Sequence, residues 1–268
     1  MLKVVIAGVS GRMGHALLDG VFADEGLQLH AALDRAESPM LGRDAGEQFG
    51  RISGVKISAD VQLALNGADV LVDFTRPEAS MQYLQACQQA GVKLVIGTTG
   101  FSEAQKAAIT AASHEIAIVF APNMSVGVTL LINLVEQAAR VLNEGYDIEV
   151  VEMHHRHKVD APSGTALRLG EAAAKGLDKA LKDCAVYARE GVTGEREAGT
   201  IGFATMRGGD VVGDHTVVLA GVGERVELTH KASSRATFAL GALRASKYLA
   251  DKPVGLFDMR DVLGFAKN

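Results

Sequence analysis

A short segment in the second half of the chain concentrates side chains that can carry positive charge. Five consecutive residues are basic or titratable: His154, His155, Arg156, His157 and Lys158. Imidazoles, an ammonium and a guanidinium repel one another unless a negative group regularly lies among them. The pattern therefore predicts a catalytic loop that handles an anion, with the substrate supplying the negative charge. The alternative is a solvated basic loop.

The same segment leads into a predicted helix start. Ser163 suits the N-cap of the apolar-periodic run that extends from Ala166 to Ala173. The backbone N–H groups of Gly164 and Thr165 would then face a carboxylate or phosphate group. We therefore expect Ser163, Gly164 and Thr165 to contribute to binding of an anionic substrate. The alternative is a serine that only caps its helix.

The chain begins with an apolar run, a glycine-rich turn and a helical pattern, which is the order that a dinucleotide-binding motif requires. Gly8 permits the tight turn, Gly11 lets the backbone approach a pyrophosphate, and Gly14 allows close helix packing. The spacing is G-x-x-G-x-x-G rather than the commoner G-x-G-x-x-G. The predicted cofactor contacts in this turn are Gly8, Val9, Ser10, Gly11, Arg12 and Met13.

A second apolar run ends in an acidic residue at the position expected for ribose binding. Asp34 lies about twenty residues past Gly14 and follows the run that ends at Leu33. Its carboxylate suits the ribose hydroxyls of NADH, and Arg35 beside it suits the 2′-phosphate of NADPH. The pair predicts tolerance of both cofactors, and the alternative is a surface ion pair.

Strand and helix signals alternate through the first half of the chain, which predicts a Rossmann-like, doubly wound parallel sheet of the α/β class. One predicted helix starts with a cap at Thr75 and Pro77 in its first turn. Ligands of such sheets bind at the carboxyl ends of the strands. Further cofactor contacts are therefore expected at Gly97, Thr98, Thr99, Ala121, Pro122, Asn123 and Met124.

The pattern changes after about residue 126, where three short strand signals bounded by glycines indicate a second, α+β domain with a mixed sheet. The last helical pattern returns to the first domain. We expect residues 1–126 and 236–268 to form the dinucleotide-binding domain. Residues 127–235 should form a domain for substrate binding and oligomerisation.

Composition limits the classes of partner. A net charge of −5 over 268 residues argues against nucleic acid, because the basic residues are clustered locally. Cys87 and Cys184 are far apart and form no metal-binding spacing, so we expect no metal. No apolar stretch is long enough to cross a bilayer. The sequence indicates a soluble, cytoplasmic protein without a membrane partner.

Taken together, the motifs resemble those of the 4-hydroxy-tetrahydrodipicolinate reductases, also called dihydrodipicolinate reductases, of bacterial lysine biosynthesis. The resemblance covers essentially the whole chain in order, and its most specific part is the run from Glu152 to Ala166. It implies NADH- or NADPH-dependent reduction of a small cyclic dicarboxylate to tetrahydrodipicolinate by a homotetramer. Some members carry glutamate where this chain has Asp34, which leaves the preferred cofactor open.

The resemblance also implies roles for individual residues. His154 falls on the position of the proton donor and acceptor, and Lys158 on that of a second proton donor. His155, Gly164 and Thr165 fall on positions that bind the substrate carboxylates. These types suit the chemistry, because reduction of an electron-poor ring leaves negative charge that must be protonated. His154 and His155 would face opposite ways if the strand continued through both.

Three other functions are compatible with parts of the sequence. A zinc site could use Glu152, His154, His155 and His157, but adjacent histidines on a strand diverge. A nucleotide-sensing module would have no use for the basic segment. A semialdehyde dehydrogenase needs an activated cysteine, and Cys87 falls within a predicted helix without a base beside it.

Overall fold

The computed structural model describes residues 1–265 and divides into two compact units. Unit 1 comprises Met1–Val126 and the segment that starts at Arg235, and unit 2 comprises Gly127–Ser234. Arg235 therefore belongs to unit 1, whereas the sequence assigned it to the second domain, because it precedes a helix that packs in unit 1. The last three residues of the predicted first domain lie outside the described residues.

The strands in chain order are β1 (Leu2–Ala7), β2 (Leu27–Leu33), β3 (Ile57–Ser58), β4 (Val70–Asp73), β5 (Lys93–Ile96), β6 (Ala117–Phe120), β7 (Asp147–His154), β8 (Ala185–Val186), β9 (Ile201–Arg207), β10 (Gly213–Ala220), β11 (Arg225–Ala232) and β12 (Gly255–Phe257). The α-helices are α1 (Arg12–Ala23), α2 (Val61–Leu65), α3 (Pro77–Ala90), α4 (Glu103–Ala112), α5 (Val126–Val141), α6 (Gly164–Gly176), α7 (Ala236–Leu249) and α8 (Met259–Val262).

Unit 1 is a doubly wound sheet, as the alternating pattern predicted. Its order is β12-β6-β5-β4-β1-β2-β3, and every pair of neighbours is parallel. The chain runs outward from β1 to β3 and then returns to β4 on the other side of β1. The carboxyl ends of β1 and β4 therefore form the switch point at which such sheets bind ligands.

Both faces of this sheet are buried, which explains why its strands are apolar throughout rather than alternating. Val4 and Ile6 of β1 pack into a core with residues of α1 and α7. Val5 and Ala7 point to the opposite face and pack with residues of α2, α3 and α4. The helices thus cover the sheet from both sides and leave its carboxyl edge for the connecting turns.

The predicted cap at Thr75 is wrong by one residue. Arg76 is the N-cap of α3 and makes no side-chain capping bond, while Pro77 is in the first turn as expected. Thr75 instead donates its hydroxyl to Oδ1 of Asp73 at 2.5 Å. An N-cap hydroxyl accepts from a backbone N–H of the helix start, whereas the Thr75 hydroxyl donates to a buried carboxylate, which is a strong acceptor.

Unit 2 has a five-stranded mixed sheet in the order β11-β10-β7-β9-β8. Strands β11, β10 and β7 are antiparallel neighbours, while β7, β9 and β8 are parallel. Helices α5 and α6 cover one face, where Ile148, Val150 and Val217 are buried. The opposite face is partly exposed, and Met206 on it is 48% exposed.

Candidate active site

The turn after β1 has the backbone that the glycine pattern predicted. Gly8 adopts a φ of +70°, and its N–H and that of Val9 both donate to the carbonyl of Leu33. A Cβ at Gly14 would lie 2.2 Å from the carbonyl oxygen of Gly8, so only glycine lets α1 approach this closely. Gly11 is the N-cap of α1 and makes no side-chain capping bond. Such a helix start suits an anion such as a pyrophosphate.

Asp34 directly follows β2 and is buried. Its Oδ1 accepts from the Arg35 N–H at 2.9 Å, and its Oδ2 accepts from the Ser38 hydroxyl at 2.7 Å. A carboxylate has about four lone-pair positions, so both oxygens retain acceptor capacity for ribose hydroxyls. The Arg35 side chain is exposed beside it.

The segments that follow β5 and β6 lie at the same carboxyl edge of the sheet, on the β4 side of the switch point. A Cβ at Gly97 would lie 2.2 Å from the ring of Phe74, so this glycine is required by close packing. The Thr98 hydroxyl points at Oδ2 of Asp73 at 3.4 Å. Burial raises the pKa of Asp73, although the hydroxyl groups of Ser80, Thr75 and Thr98 donate to its carboxyl group.

A cavity of about 230 Å³ lies at this edge of unit 1. The cofactor contacts predicted there are Met13, Gly97, Pro122, Asn123 and Met124, and the cavity wall also includes Phe74, Arg235 and Phe238. Sequence reasoning missed those last three residues. Arg235 and Phe238 reach the cavity because α7 returns to unit 1. The sequence predicted that return, but no local pattern shows which residues at the start of the helix face this edge. Of the other predicted contacts, Ser10 lies in the turn after β1, Arg12 is the first residue of α1, and Thr99 and Ala121 follow β5 and β6.

In unit 2, His154 is the last residue of β7, and its ring is largely buried. Its Nδ1 lies 2.6 Å from Oε2 of Glu152. Its ring also meets that of His215 edge to face, with centroids 5.1 Å apart. Because the strand ends at His154, His155 belongs to the following loop and is not held by the alternation of the strand.

Glu152 is the centre of this arrangement and is 1% exposed. Arg207 donates to both of its oxygens at 2.9 Å, and the Ser163 N–H donates to Oε1 at 3.0 Å. Burial alone would raise the pKa of Glu152, but the hydrogen bonds from Arg207, His154 and Ser163 outweigh it and hold that pKa below its ordinary value. Glu152 is therefore a carboxylate.

Ser163 is the N-cap of α6, and its Oγ accepts from the Ala166 N–H at 3.1 Å. The same oxygen lies 3.0 Å from Nε2 of His215. Gly164 and Thr165 are the first residues of α6, so their N–H groups belong to its positive end. A Cβ at Gly164 would meet nothing within 4 Å, which leaves room for a ligand against the backbone.

Lys158 lies in the loop between β7 and α6, where its ammonium is 2.8 Å from Asp160. The backbone N–H of Lys158 donates to the carbonyl of His155. The rings of His155 and His157 lie 6.2 Å apart. In unit 2, His154 thus lies at the end of β7, Lys158 in the loop that follows, and the anion-binding backbone at the start of α6. This arrangement can offer a proton and a cation-rich site for carboxylates.

Sequence reasoning considered Glu152 only as a ligand of the alternative zinc site and assigned no functional role to Arg207 or His215. Glu152 shares a strand face with His154, which the two-residue period would have indicated. Arg207 is the register partner of His154 across β9, and His215 that of Glu152 across β10. Those pairings join segments more than fifty residues apart, so no local pattern reveals them.

Other kinds of site have no support in the described part of the chain. Cys87 is fully buried within α3, and burial raises the pKa of its thiol, so it is not an activated nucleophile. Within residues 1–265, no three His, Cys, Asp or Glu side chains are grouped to hold a metal ion. The helices in that range are too short or too polar to span a membrane.

Comparison with known proteins matches both units to the same enzyme family. The family described as "Dihydrodipicolinate reductase, N-terminus" matches residues 2–124, and the one described as "Dihydrodipicolinate reductase, C-terminus" matches residues 127–263. The 4-hydroxy-tetrahydrodipicolinate reductase of Thiobacillus denitrificans is 65% identical over 263 residues, which is 98% of each chain. That of Chromobacterium violaceum is 62% identical over 262 residues, again 98% of each chain.

Among solved structures, the dihydrodipicolinate reductase of Paenisporosarcina sp. TG-14 with dipicolinate bound has the same fold. It superposes with a TM-score of 0.77 at 24% identity, over 96% of this chain and 97% of that one. Both units, their order and nearly the full length of the relatives are matched. This chain belongs to the dihydrodipicolinate reductase family.

Proposed function

We propose that this protein catalyses the NAD(P)H-dependent reduction of 4-hydroxy-tetrahydrodipicolinate to tetrahydrodipicolinate, a step of lysine biosynthesis through diaminopimelate. The observation that carries the proposal is the geometry of unit 2, where a histidine held by a buried carboxylate lies beside a capped helix start. An acid and an anion site are what reduction of a cyclic dicarboxylate requires. The relatives that match over nearly the whole length of the chain carry the name of this activity.

Unit 1 provides the residues suited to hold the cofactor. The turn from Gly8 to Met13 offers backbone N–H groups to the pyrophosphate, and Asp34 offers its carboxylate to the ribose. Thr98, Asn123 and their neighbours lie at the edge where the nicotinamide would bind. When bound, NADH or NADPH supplies the hydride.

We infer that both cofactors are used. The carboxylate of Asp34 keeps acceptor capacity for the ribose hydroxyls of NADH, whereas the exposed Arg35 guanidinium suits the additional phosphate of NADPH. The two residues do not interfere with each other, because Arg35 bonds to the Asp34 carboxylate through its backbone N–H. Its guanidinium is not used in that bond.

Residues of unit 2 would handle the substrate. His154 would exchange a proton with the reduced ring, and Lys158 would act as a second donor after leaving Asp160. The N–H groups of Gly164 and Thr165, with His155, would bind the carboxylates, while the Ser163 hydroxyl completes the start of α6. Fixed donors of this kind stabilise developing charge without reorganisation.

We also propose that the enzyme is a cytoplasmic homotetramer without nucleic-acid or membrane partners. Its support is the partly exposed face of the sheet in unit 2, which carries Met153, Met206 and Val218. A homo-oligomer would bury such a face. Sedimentation velocity should give the mass of four chains, and a monomer at assay concentration would contradict this.

The experiment is an assay of NADH and NADPH oxidation in which the unstable substrate is made in place from pyruvate and aspartate semialdehyde. We expect turnover with both cofactors and none when pyruvate is omitted. Pyridine-2,6-dicarboxylate should inhibit competitively, and pyridine-2-carboxylate much more weakly, because only the dianion engages two carboxylate positions. Absence of turnover with both cofactors would refute the proposed function.

A further inference from the structure

We propose that Glu152, together with Arg207, is the positioning residue of this site. It fixes the ring of His154 with hydrogen on Nδ1, so that Nε2 is the atom that exchanges the catalytic proton. The same carboxylate holds the backbone of Ser163, and thereby ties the proton donor to the start of α6. This inference rests on the proposed function and deepens it.

The assignment of the proton follows from what faces Glu152. A carboxylate only accepts hydrogen bonds, and its four contacts come from two guanidinium nitrogens, the Ser163 N–H and Nδ1 of His154. A distance of 2.6 Å between Nδ1 and Oε2 requires a hydrogen between them, since two lone pairs would repel. The hydrogen could belong to the carboxyl group or to the ring. Arg207 stays charged and keeps Glu152 ionised, so the hydrogen belongs to the histidine.

The surroundings of Nε2 fit a proton-exchanging atom. Gly213, the first residue of β10, is the neighbour on this side, and a Cβ there would lie 3.0 Å from Nε2. Glycine therefore leaves this nitrogen clear of a side chain. The other edge of the ring is committed to Glu152.

The charged and titratable groups near His154 come from four segments. Glu152 on β7 is balanced by Arg207 on β9, and Lys158 is paired with Asp160 in the loop. His215 on β10 is neutral, because burial, with His154 next in effect, lowers its pKa to about 4. The neighbours thus form two ion pairs and a neutral ring, and a change at Glu152 or Arg207 would leave one charge uncompensated beside the imidazole.

The test begins with Glu152→Gln, which keeps the shape but offers only one oxygen. If the amide NH₂ faces His154, the neutral ring must move its hydrogen to Nε2, and kcat should fall about 10²-fold with little change in KM. If the NH₂ faces Ser163, the helix start is displaced, and binding of pyridine-2,6-dicarboxylate should weaken about tenfold or more. Either result supports the positioning role.

Glu149→Gln is the matched control. Glu149 lies on the same strand and also pairs with arginine, Arg189 at 2.8 Å, but it points to the opposite face of the sheet. The Glu149→Gln variant should retain wild-type kcat and inhibitor affinity. Equal losses in both variants would mean that any broken ion pair on β7 damages the fold, and would overturn the proposal.

The pH profile separates positioning from structural damage. Glu152→Gln and Arg207→Gln remove opposite charges from beside the same imidazole. The pH at which kcat falls on the alkaline side should therefore move down in the first variant and up in the second. A shift in the same direction in both, or in neither, would overturn the proposal.

A measurement on the wild-type protein needs no variant to fold. Imidazole nitrogen NMR of histidine-labelled protein, assigned with His154→Gln, should show hydrogen on Nδ1 of the neutral ring without substrate or cofactor. Hydrogen on Nε2 alone would overturn the positioning role even if turnover is normal. Hydrogen on Nδ1 in a protein without turnover would leave the positioning role intact and refute the proposed function instead.

Discussion

His215→Leu tests whether the neutral, buried state of this histidine is part of what stabilises unit 2. His215 is 4% exposed, and burial is the largest cause that lowers its pKa from 6.5 to about 4, followed by the nearby His154. The unfolded chain binds a proton at this residue below about pH 6.5, whereas the folded chain does so only near pH 4. Its contribution is therefore fully present above pH 6.5 and is lost as the pH falls towards 4.

The magnitude follows from the size of that shift. Each pKa unit corresponds to about 1.4 kcal/mol, so acidification should remove at most about 3.5 kcal/mol from the wild-type protein through His215 alone. Leucine does not titrate, but it gives up the contact between Nε2 of His215 and Oγ of Ser163 at every pH, at a cost of about 1–2 kcal/mol. The variant should be less stable than wild type near neutrality and match or exceed it in acid.

The assay is denaturant-induced unfolding followed by far-UV circular dichroism, at one protein concentration and at several values between about pH 7 and pH 4. The quantity compared is the difference in unfolding free energy between variant and wild type, because other titrating groups cancel in that difference. His114→Leu, at an exposed position after α4, is the control and should show little pH dependence. A difference for His215→Leu that stays constant across this range would refute the reasoning.

Four further substitutions test the proposed roles in catalysis and cofactor binding. His154→Gln should lower kcat about 10²-fold and leave NADH binding by calorimetry unchanged, and a normal kcat would exclude its role as a proton donor. Arg35→Ala should weaken NADPH about tenfold and NADH little, and equal losses would make Arg35 structural. Gly14→Ala places a Cβ 2.2 Å from the backbone of Gly8, so it should abolish nucleotide binding and lower Tm, whereas Gly11→Ala, at 3.2 Å from the nearest atom, should be milder.

The fold of unit 1 could be predicted because its signals are local. Strand β4 is apolar at every position before Asp73, which is typical of a parallel strand buried on both faces. Gly8 and Gly14 are required by a turn and a contact within one strand-turn-helix unit. Ser163 was recognised as an N-cap because capping depends on the residues that immediately follow it.

The support of the active site could not be predicted in the same way. Arg207 reaches Glu152 because β9 pairs with β7, and the register of that pairing depends on packing of the whole sheet. The Thr75 hydroxyl was expected to cap a helix, but it bonds to Asp73, whose burial is a property of the assembled core. Local sequence thus predicted candidate side chains for the chemistry, and tertiary contacts determine which residues hold those candidates in place.

The discontinuity of unit 1 has a consequence for synthesis on the ribosome. Helix α7 fills its core with Ala239, Ala242 and Leu243, and Gly241 lies so close to the carbonyl of Met124 that no side chain fits between them. Since these residues are translated after all of unit 2, a nascent chain that ends before them lacks part of the nucleotide-binding core. Unit 2 is one continuous segment, so all of its residues have been synthesised before α7 is translated. It is therefore free to fold first. We therefore expect protease-resistant unit 2 in stalled nascent chains before the nucleotide-binding unit acquires resistance.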